Sequence, residues 1–169
     1  MMTTSTFQPL DNTSGRAAQP QAGMGLALVR LTVGAMFVSV FFENRAKGLY
    51  TPTGYEGLIR YYIEHGHAPA AWKSVMALAA GHASMAAPLQ GLTEISLGVL
   101  LVFGLFSRPV ALVAGAFLTS LWVSEWGTAW IWELLVPVLA SFALALGGAG
   151  RTWGIDAFLA RRRSSSFWW

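Results

Sequence analysis

Four long apolar runs, separated by polar segments, dominate the hydrophobic pattern of the chain. They cover residues 24–42, 88–106, 109–124 and 130–147. An α-helix rises about 1.5 Å per residue and the hydrocarbon core of a bilayer is about 30 Å thick, so runs of this length are suited to crossing it. A segment in lipid must satisfy its own backbone hydrogen bonds, so each run is expected to be helical. The pattern therefore predicts an all-α fold, an integral membrane bundle of four helices.

The polar stretch between the first and second runs predicts two short helices. Tyr55, Leu58, Ile59 and Tyr62 recur there at helical spacing, which is typical of an amphipathic helix. A second short helix is expected over residues 69–80. Helices of this kind either lie at the membrane interface or cap the bundle, and we favour the capping arrangement.

Short connections and small residues indicate how the long helices pack. Only Ser107 and Arg108 separate the second run from Pro109, the first residue of the third, so those two helices are expected to be antiparallel neighbours. Pro109 suits the first turn of a helix, where its missing N–H costs nothing. Tryptophans mark the expected interfaces with headgroups; they are Trp122, Trp126, Trp130, Trp132 and Trp153.

Both ends of the chain are polar. Residues 1–23 lack the apolar run of a secretory signal and are expected to form a disordered tail. Residues 160–169 form a basic and aromatic tail, either a surface anchor or a disordered end. Four spans place both termini on one side, together with Arg16, Arg108, Arg151 and 161–163. Because cytoplasmic segments carry an excess of Lys and Arg, we expect this side to be cytoplasmic.

Composition excludes several classes of function. Hydrophobic residues make up 54% of the chain and charged residues 11%, against about 25% charged in soluble domains. The chain has no cysteine, which excludes disulfides, iron–sulfur clusters and cysteine nucleophiles. Its histidines lie outside the apolar runs, so we expect no bound metal or haem. The net charge of +3 comes without a basic stripe, and nucleic acid is an unsuitable partner.

Three charged residues fall within the apolar runs, namely Arg30, Glu94 and Glu133. A charge at the centre of a span costs about 2.5–3.5 kcal/mol on insertion scales, so it normally faces the bundle interior and finds a partner. Arg30 and Glu94 are expected at similar depths. They form either a buried ion pair that fixes helix register, or a polar site for a quinone-like headgroup or a proton path. Glu133 lies near the outer interface.

Four short motifs, in order along the chain, resemble the DoxX family of small four-helix membrane proteins. The first is LVRLTVGAMFV, the second ENRAKGLY, the third LTEISLGVLLVFGLFSRPVAL and the fourth GGAGRTWGIDAF. The matched residues are Arg30, Gly34, Lys47, Glu94, Gly98, Gly104, Arg108, Gly148, Gly150, Arg151 and Asp156. The resemblance covers residues 24–159, which we take as one DoxX-like transmembrane domain.

The resemblance implies a subunit linked to quinone-dependent redox chemistry, because the family includes the DoxD-type subunit of thiosulfate:quinone oxidoreductase. It implies a multi-pass protein of a bacterial-type inner membrane, working with other membrane subunits. The chain would hold no cofactor covalently or through a metal ligand, and its ligand would be quinone. The site candidates are Arg30 and Glu94, with Lys47, Arg108, Glu133, Arg151 and Asp156 as secondary candidates.

Two alternatives stay open from the sequence. One is a non-catalytic accessory subunit of a respiratory or photosynthetic membrane assembly, which suits the small size and the two polar tails. The other is a small transporter, suggested only by Pro137 in the fourth run, since a proline can loosen a helix.

Overall fold

The computed structural model describes residues 14–162, with side chains described from residue 21 to residue 161. This part of the chain is entirely helical, with no strand, which confirms the predicted all-α class. Residues 1–13 and 163–169 lie outside it. The helices are α1 (Ser14–Ala46), α2 (Pro52–His65), α3 (Ala70–Gly81), α4 (Ala83–Phe103), α5 (Ser107–Ser124), α6 (Ile131–Gly147) and α7 (Ile155–Arg162), with a 3-10 turn at Ala149–Arg151.

Three of these helices are long and apolar enough to cross a membrane. The segments are Gln21–Ala46, Ala83–Phe103 and Ser107–Ser124, and α6 is a shorter apolar helix of 17 residues. Large apolar side chains stay exposed on their outer faces, among them Leu92, Leu112 and Leu139. Since contact with water would make such surfaces unfavourable, the helices indicate a membrane protein surrounded by lipid.

The four long helices pack as two pairs. Helix α1 packs along α4 and α5 along α6, and contacts between the pairs are fewer. Small residues allow the first pair to approach closely: a Cβ added at Gly34 would lie 2.9 Å from the backbone nitrogen of Val102. Helix α4 ends at Gly104, in the left-handed conformation, and α5 begins at Ser107. The predicted tight, antiparallel connection is therefore confirmed.

The bundle has two unlike ends. At the first, which we call the closed end, the turn between α4 and α5 meets the 3-10 turn and α7. At the opposite end, α2 and α3 pack on each other and on α4 and α5. We call α2 and α3 the roof. Both short helices were predicted from sequence, and they pack over this end of the bundle. Thr51 begins α2 by accepting a hydrogen bond from the Gly54 N–H (3.2 Å).

Several helix bounds differ from the expected ones. Helix α1 begins at Ser14, so residues 14–23, expected in the disordered tail, are helical. Helix α4 begins at Ala83 and contains Pro88, which was expected to start it; the small residues before that proline extend the helix by more than a turn. Helix α7 continues past residue 159 to Arg162, across the expected start of the C-terminal tail. The remainder of both predicted tails is outside the described residues.

Candidate functional site

Arg30 is completely buried at the closed end. Its guanidinium donates hydrogen bonds to the carbonyl oxygens of Val102 (3.0 Å), Trp153 (2.8 Å) and Leu101. Carbonyls in the last turn of a helix have no helical donor and carry the negative end of the helix dipole, so they suit a buried cation. Arg30 thus connects α1 to the end of α4 and to the segment before α7.

Asp156 is the second charged group of the closed end and is also fully buried. Its carboxylate accepts hydrogen bonds from the backbone N–H groups of Phe106 (2.8 Å) and Ser107 (2.7 Å). These donors start α5, where helical N–H groups lack partners and a negative charge is favoured. Gly150 lies so close that a Cβ there would overlap the Asp156 carboxylate. We call Arg30 and Asp156, with their backbone partners, the closed-end cluster.

A cavity of about 870 Å³ lies under the roof, between the two helix pairs. Its walls are mainly apolar and come from α1 to α6. Side chains that line it include Phe37, Leu58, Ile59, Trp72, Phe117 and Leu118. Arg30 and Asp156 are not among its lining residues. The cavity therefore belongs to the roof end, whereas the fully buried charged groups of the closed end lie away from it.

Glu94 lies in the wall of this cavity and is 1% exposed. Its Oε1 accepts a hydrogen bond from Gln90 Nε2 (3.1 Å). Its Oε2 accepts from Asn44 Nδ2 (3.3 Å) and from the Tyr50 hydroxyl. Asn44 and Gln90 also line the cavity. We call these four residues the Glu94 cluster; it places a carboxylate that accepts three hydrogen bonds beside a large, mainly apolar volume.

Tyr50 is held in place by its neighbours. Its ring stacks on Phe41, with ring centroids 5.3 Å apart and planes inclined by 23°. It also lies on Gly91, where a Cβ would be 3.0 Å from the ring. Burial and the hydrogen bond to Glu94 raise the pKa of Tyr50 above its usual value. The phenol therefore stays protonated and donates to Glu94.

Arg30 and Glu94 do not form the ion pair that their positions allowed. Helices α1 and α4 do touch, but Arg30 reaches Leu101 and Val102, two turns of α4 beyond Glu94 and about 10 Å along the axis. The two ion pairs among the described residues are both exposed. They are Lys47–Glu43 (2.6 Å) and Arg60–Glu56 (2.7 Å).

A second polar group lies where the roof meets the end of α5. Three consecutive residues there take part in hydrogen bonds with the roof. Trp72 Nε1 donates to Ser124 Oγ (2.9 Å), Tyr62 Oη donates to Glu125 Oε2 (3.3 Å) and the His67 N–H donates to the Trp126 carbonyl (2.6 Å). We call this contact the roof seam.

Glu125 is the titratable group of the roof seam, and it lines the cavity together with Glu133. Burial and the nearby charge of Glu133 raise the pKa of the Glu125 carboxyl, and the hydrogen bond from Tyr62 partly opposes this. Burial and Glu125 in turn raise the pKa of the Tyr62 phenol. The seam therefore holds a carboxyl group that tends to keep its proton.

The candidates found from sequence divide between the two ends. Arg30, Asp156, Arg108 and Arg151 lie at or near the closed end, where the Arg108 guanidinium lies against Gly148 and Arg151 ends the 3-10 turn. Glu94, Glu133 and Lys47 line the cavity instead. Sequence reasoning missed Asn44, Tyr50, Gln90, Tyr62 and Glu125. Only Gln90 carried a local signal, since it precedes Glu94 by one helical turn.

Comparison with known proteins adds no relative: no family model matches the chain, and neither a curated protein nor a solved structure matches it. The resemblance to the DoxX family and the expected quinone ligand therefore stay predictions.

Proposed function

We propose that this protein is a DoxX-like membrane subunit that binds a quinone-type molecule in the cavity under the roof. The observation that carries the proposal is the position of the Glu94 cluster. It places a few hydrogen-bonding groups in one wall of a mainly apolar cavity of about 870 Å³. Ligand sites are typically apolar, about 300–1,000 Å³ in volume, and carry a small number of polar groups that orient the ligand.

A quinone-type molecule matches this arrangement in both of its parts. Its ring carries two oxygens that can meet the Glu94 cluster, and its apolar tail can fill the remainder of the cavity. Phe37, Phe117 and Trp72 supply aromatic surface in the walls, which favours stacking with a flat ring. Burial of the tail would supply most of the binding free energy.

In the proposed membrane arrangement, α1, α4, α5 and α6 all cross the bilayer. The 17 residues of α6 make it the shortest of the four, and local thinning of the bilayer or flanking side chains would accommodate it. The basic residues Arg108, Arg151 and Arg161 belong to the closed end. An excess of arginine marks the cytoplasmic side, so the roof would face outward from a bacterial-type inner membrane.

The proposed redox role depends on a partner. The chain has no cysteine, so it cannot bind an iron–sulfur cluster through thiolates. Electrons would pass between the bound molecule and another membrane subunit, while this chain holds the ring and the tail. A purely accessory role in the same assembly would need no ligand in the cavity, and this distinguishes the two functions.

A cavity-filling substitution tests the proposal. Ala79 lines the cavity from α3, whereas Ala77 lies exposed on the same helix. With the full chain in lipid nanodiscs, titration of decylubiquinone and decylubiquinol should quench tryptophan fluorescence. Ala79→Trp should weaken binding of the tighter ligand about tenfold or more by overfilling the site. Ala77→Trp makes the same change outside the cavity and should leave binding unchanged.

Two results would contradict the proposal. One is the absence of saturable binding of either compound to the unaltered chain. The other is equal binding to the Ala79→Trp and Ala77→Trp proteins. A chain that binds neither compound but purifies in fixed proportion with a larger complex would favour the accessory role.

A further inference from the structure

We infer that the cavity selects the reduced, hydroxyl-bearing form of its ligand, a quinol, over the oxidised quinone. This inference rests on the function proposed above and specifies the chemical form that binds. A quinone ring presents two carbonyl oxygens, which only accept hydrogen bonds. A quinol ring presents two hydroxyl groups, which also donate. The groups in the cavity wall distinguish between these forms.

The hydrogen bonds at Glu94 identify it as an acceptor. All three are donated to the carboxylate, two to Oε2 from Asn44 and Tyr50, and one to Oε1 from Gln90. An ionised carboxylate offers about four lone-pair positions and no donor. One acceptor position therefore remains on Oε1. A ligand group that meets it must donate.

The two amides of the cluster do not reverse this preference. Asn44 and Gln90 each keep one N–H and one carbonyl that are not used at Glu94. An amide can therefore serve a ligand carbonyl or a ligand hydroxyl equally well. A hydrogen bond to an ionised group is about twice as strong as one between neutral groups, so the carboxylate decides between the two forms.

The charges around the cavity also favour a quinol over a quinone. Four carboxyl groups line it: Glu43, Glu94, Glu125 and Glu133. Glu43 is paired with Lys47, the lysine in the lining, and Glu125 tends to keep its proton, so neither adds an uncompensated charge. Within the described part of the chain, Glu94 and Glu133 have no ion-pair partner, and Arg30 is engaged at the closed end. A carbonyl oxygen with exposed lone pairs is disfavoured in such surroundings, whereas a hydroxyl proton is favoured.

Three related compounds test the inference on the unaltered full chain in nanodiscs under anaerobic conditions. They are decylubiquinol, decylubiquinone and the dimethyl ether of the quinol, which keeps the ring and tail but has no donor. We expect the quinol to bind about tenfold more tightly than the quinone, because a site built to accept a hydroxyl hydrogen bond rejects analogues without it. The ether should bind no better than the quinone.

Glu94→Gln tests the role of the Glu94 carboxylate, since it preserves the shape of the side chain but adds an N–H and removes the charge. The ratio of quinol to quinone affinity should fall to about one. Glu64→Gln makes the same change on an exposed part of α2 outside the cavity lining and should keep the full ratio. Neither variant is needed for the three-compound comparison, so the test stands even if Glu94→Gln fails to fold.

The outcomes separate the inference from the function it rests on. If the quinone or the ether binds as tightly as the quinol, selection of the reduced form is wrong and quinone-type binding survives. If none of the three compounds binds, the proposed function fails and the inference fails with it. If Glu94→Gln folds but keeps the wild-type ratio, the selection does not come from Glu94 and the inference is overturned.

Discussion

Among the described side chains, charged groups are fully buried in the closed-end cluster and in the Glu94 cluster, and the two clusters differ in what surrounds them. Arg30 and Asp156 contact backbone groups and line no part of the cavity. Glu94 contacts three side chains and lies beside about 870 Å³ of space. Burial alone therefore does not identify a functional charge. The partners and the adjacent volume distinguish the two clusters, and on these grounds we propose Glu94 as the ligand-binding charge.

The closed-end charges have a structural explanation in the backbone groups they satisfy. The last turn of α4 leaves carbonyls without donors, and the first turn of α5 leaves N–H groups without acceptors. Arg30 donates to a carbonyl at the end of α4, and Asp156 accepts from an N–H group at the start of α5. No comparable backbone need exists at Glu94, which lies in the middle of α4. Its three donors fix the position of a carboxylate that lines the cavity.

The largest effect is expected from Asp156→Ala. Loss of this carboxylate leaves two N–H groups of the α5 start buried without an acceptor and removes the negative charge nearest Arg30. Breaking a buried charged contact typically costs about 3–5 kcal/mol. We expect a protein that unfolds at much lower temperature in detergent or fails to assemble. Thermal unfolding followed by circular dichroism measures this.

Glu94→Gln supplies the contrast, with an expected loss of stability of about 1 kcal/mol, because the new N–H group can replace the Oε1 acceptor and the Gln90 amide can rotate to accept from it. Asp156→Asn keeps one acceptor oxygen and should be intermediate between Asp156→Ala and the unaltered chain. If Glu94→Gln lowered stability as much as Asp156→Ala, the distinction between a structural and a binding charge would be lost.

The sequence predicted the charged residues of both clusters but not their separation. A charge within an apolar run is conspicuous because it costs free energy, and this made Arg30 and Glu94 visible. Their relative depth depended on where α4 begins. The helix starts at Ala83, earlier than the apolar run suggested, and Glu94 lies opposite the end of α1 near Asn44. The position of each charge within its own apolar run could not show that Arg30 and Glu94 lie apart.

The partners of Glu94 were hidden for a different reason. Asn44 and Tyr50 belong to the polar stretch after the first apolar run, where such residues are ordinary. They meet Glu94 only because α1 and α4 pack together and the chain then turns back at Gly48. The same holds for Tyr62 and Glu125, which meet across the roof seam. Contacts between residues far apart in sequence leave no periodic signal.

The next largest effect is expected from changing a glycine to alanine, once in each cluster. At Gly150 a Cβ would overlap the Asp156 carboxylate and the Ser107 hydroxyl. Gly150→Ala should therefore lower stability by about 1–3 kcal/mol, as overpacking does. At Gly91 the Cβ would lie 3.0–3.2 Å from the Tyr50 ring, which must shift. Gly91→Ala should weaken quinol binding several-fold, with little change in stability.

Stability and ligand affinity are both measured for each glycine variant. Gly57→Ala is the control, since a Cβ there meets no atom within 4 Å; it should leave affinity unchanged and raise stability by about 0.5–1 kcal/mol, because alanine favours a helix more than glycine does. A Gly91→Ala protein with unaltered affinity would show that Tyr50 does not position Glu94 for the ligand. A Gly150→Ala protein of normal stability would show that the closed end can relax.

The smallest effect concerns pH and a third carboxyl group, Glu125 at the roof seam. Its pKa is raised in the folded protein by burial and by Glu133, so the folded state keeps a proton that the unfolded chain has already lost. The folded state is then favoured at low pH, and stability falls as pH rises from the ordinary range of a glutamate through the raised pKa of Glu125. Partial exposure keeps the effect small, about 1–2 °C in Tm.

Thermal unfolding between about pH 4 and pH 8 should show this decline in the unaltered chain. Glu125→Gln should flatten it, Glu133→Gln should move it to lower pH, and Glu64→Gln should leave it in place. If the plots of Tm against pH run parallel for the unaltered chain and Glu125→Gln, Glu125 loses its proton in the folded protein as a surface glutamate does. The roof would then pack on α5 without help from a protonated Glu125.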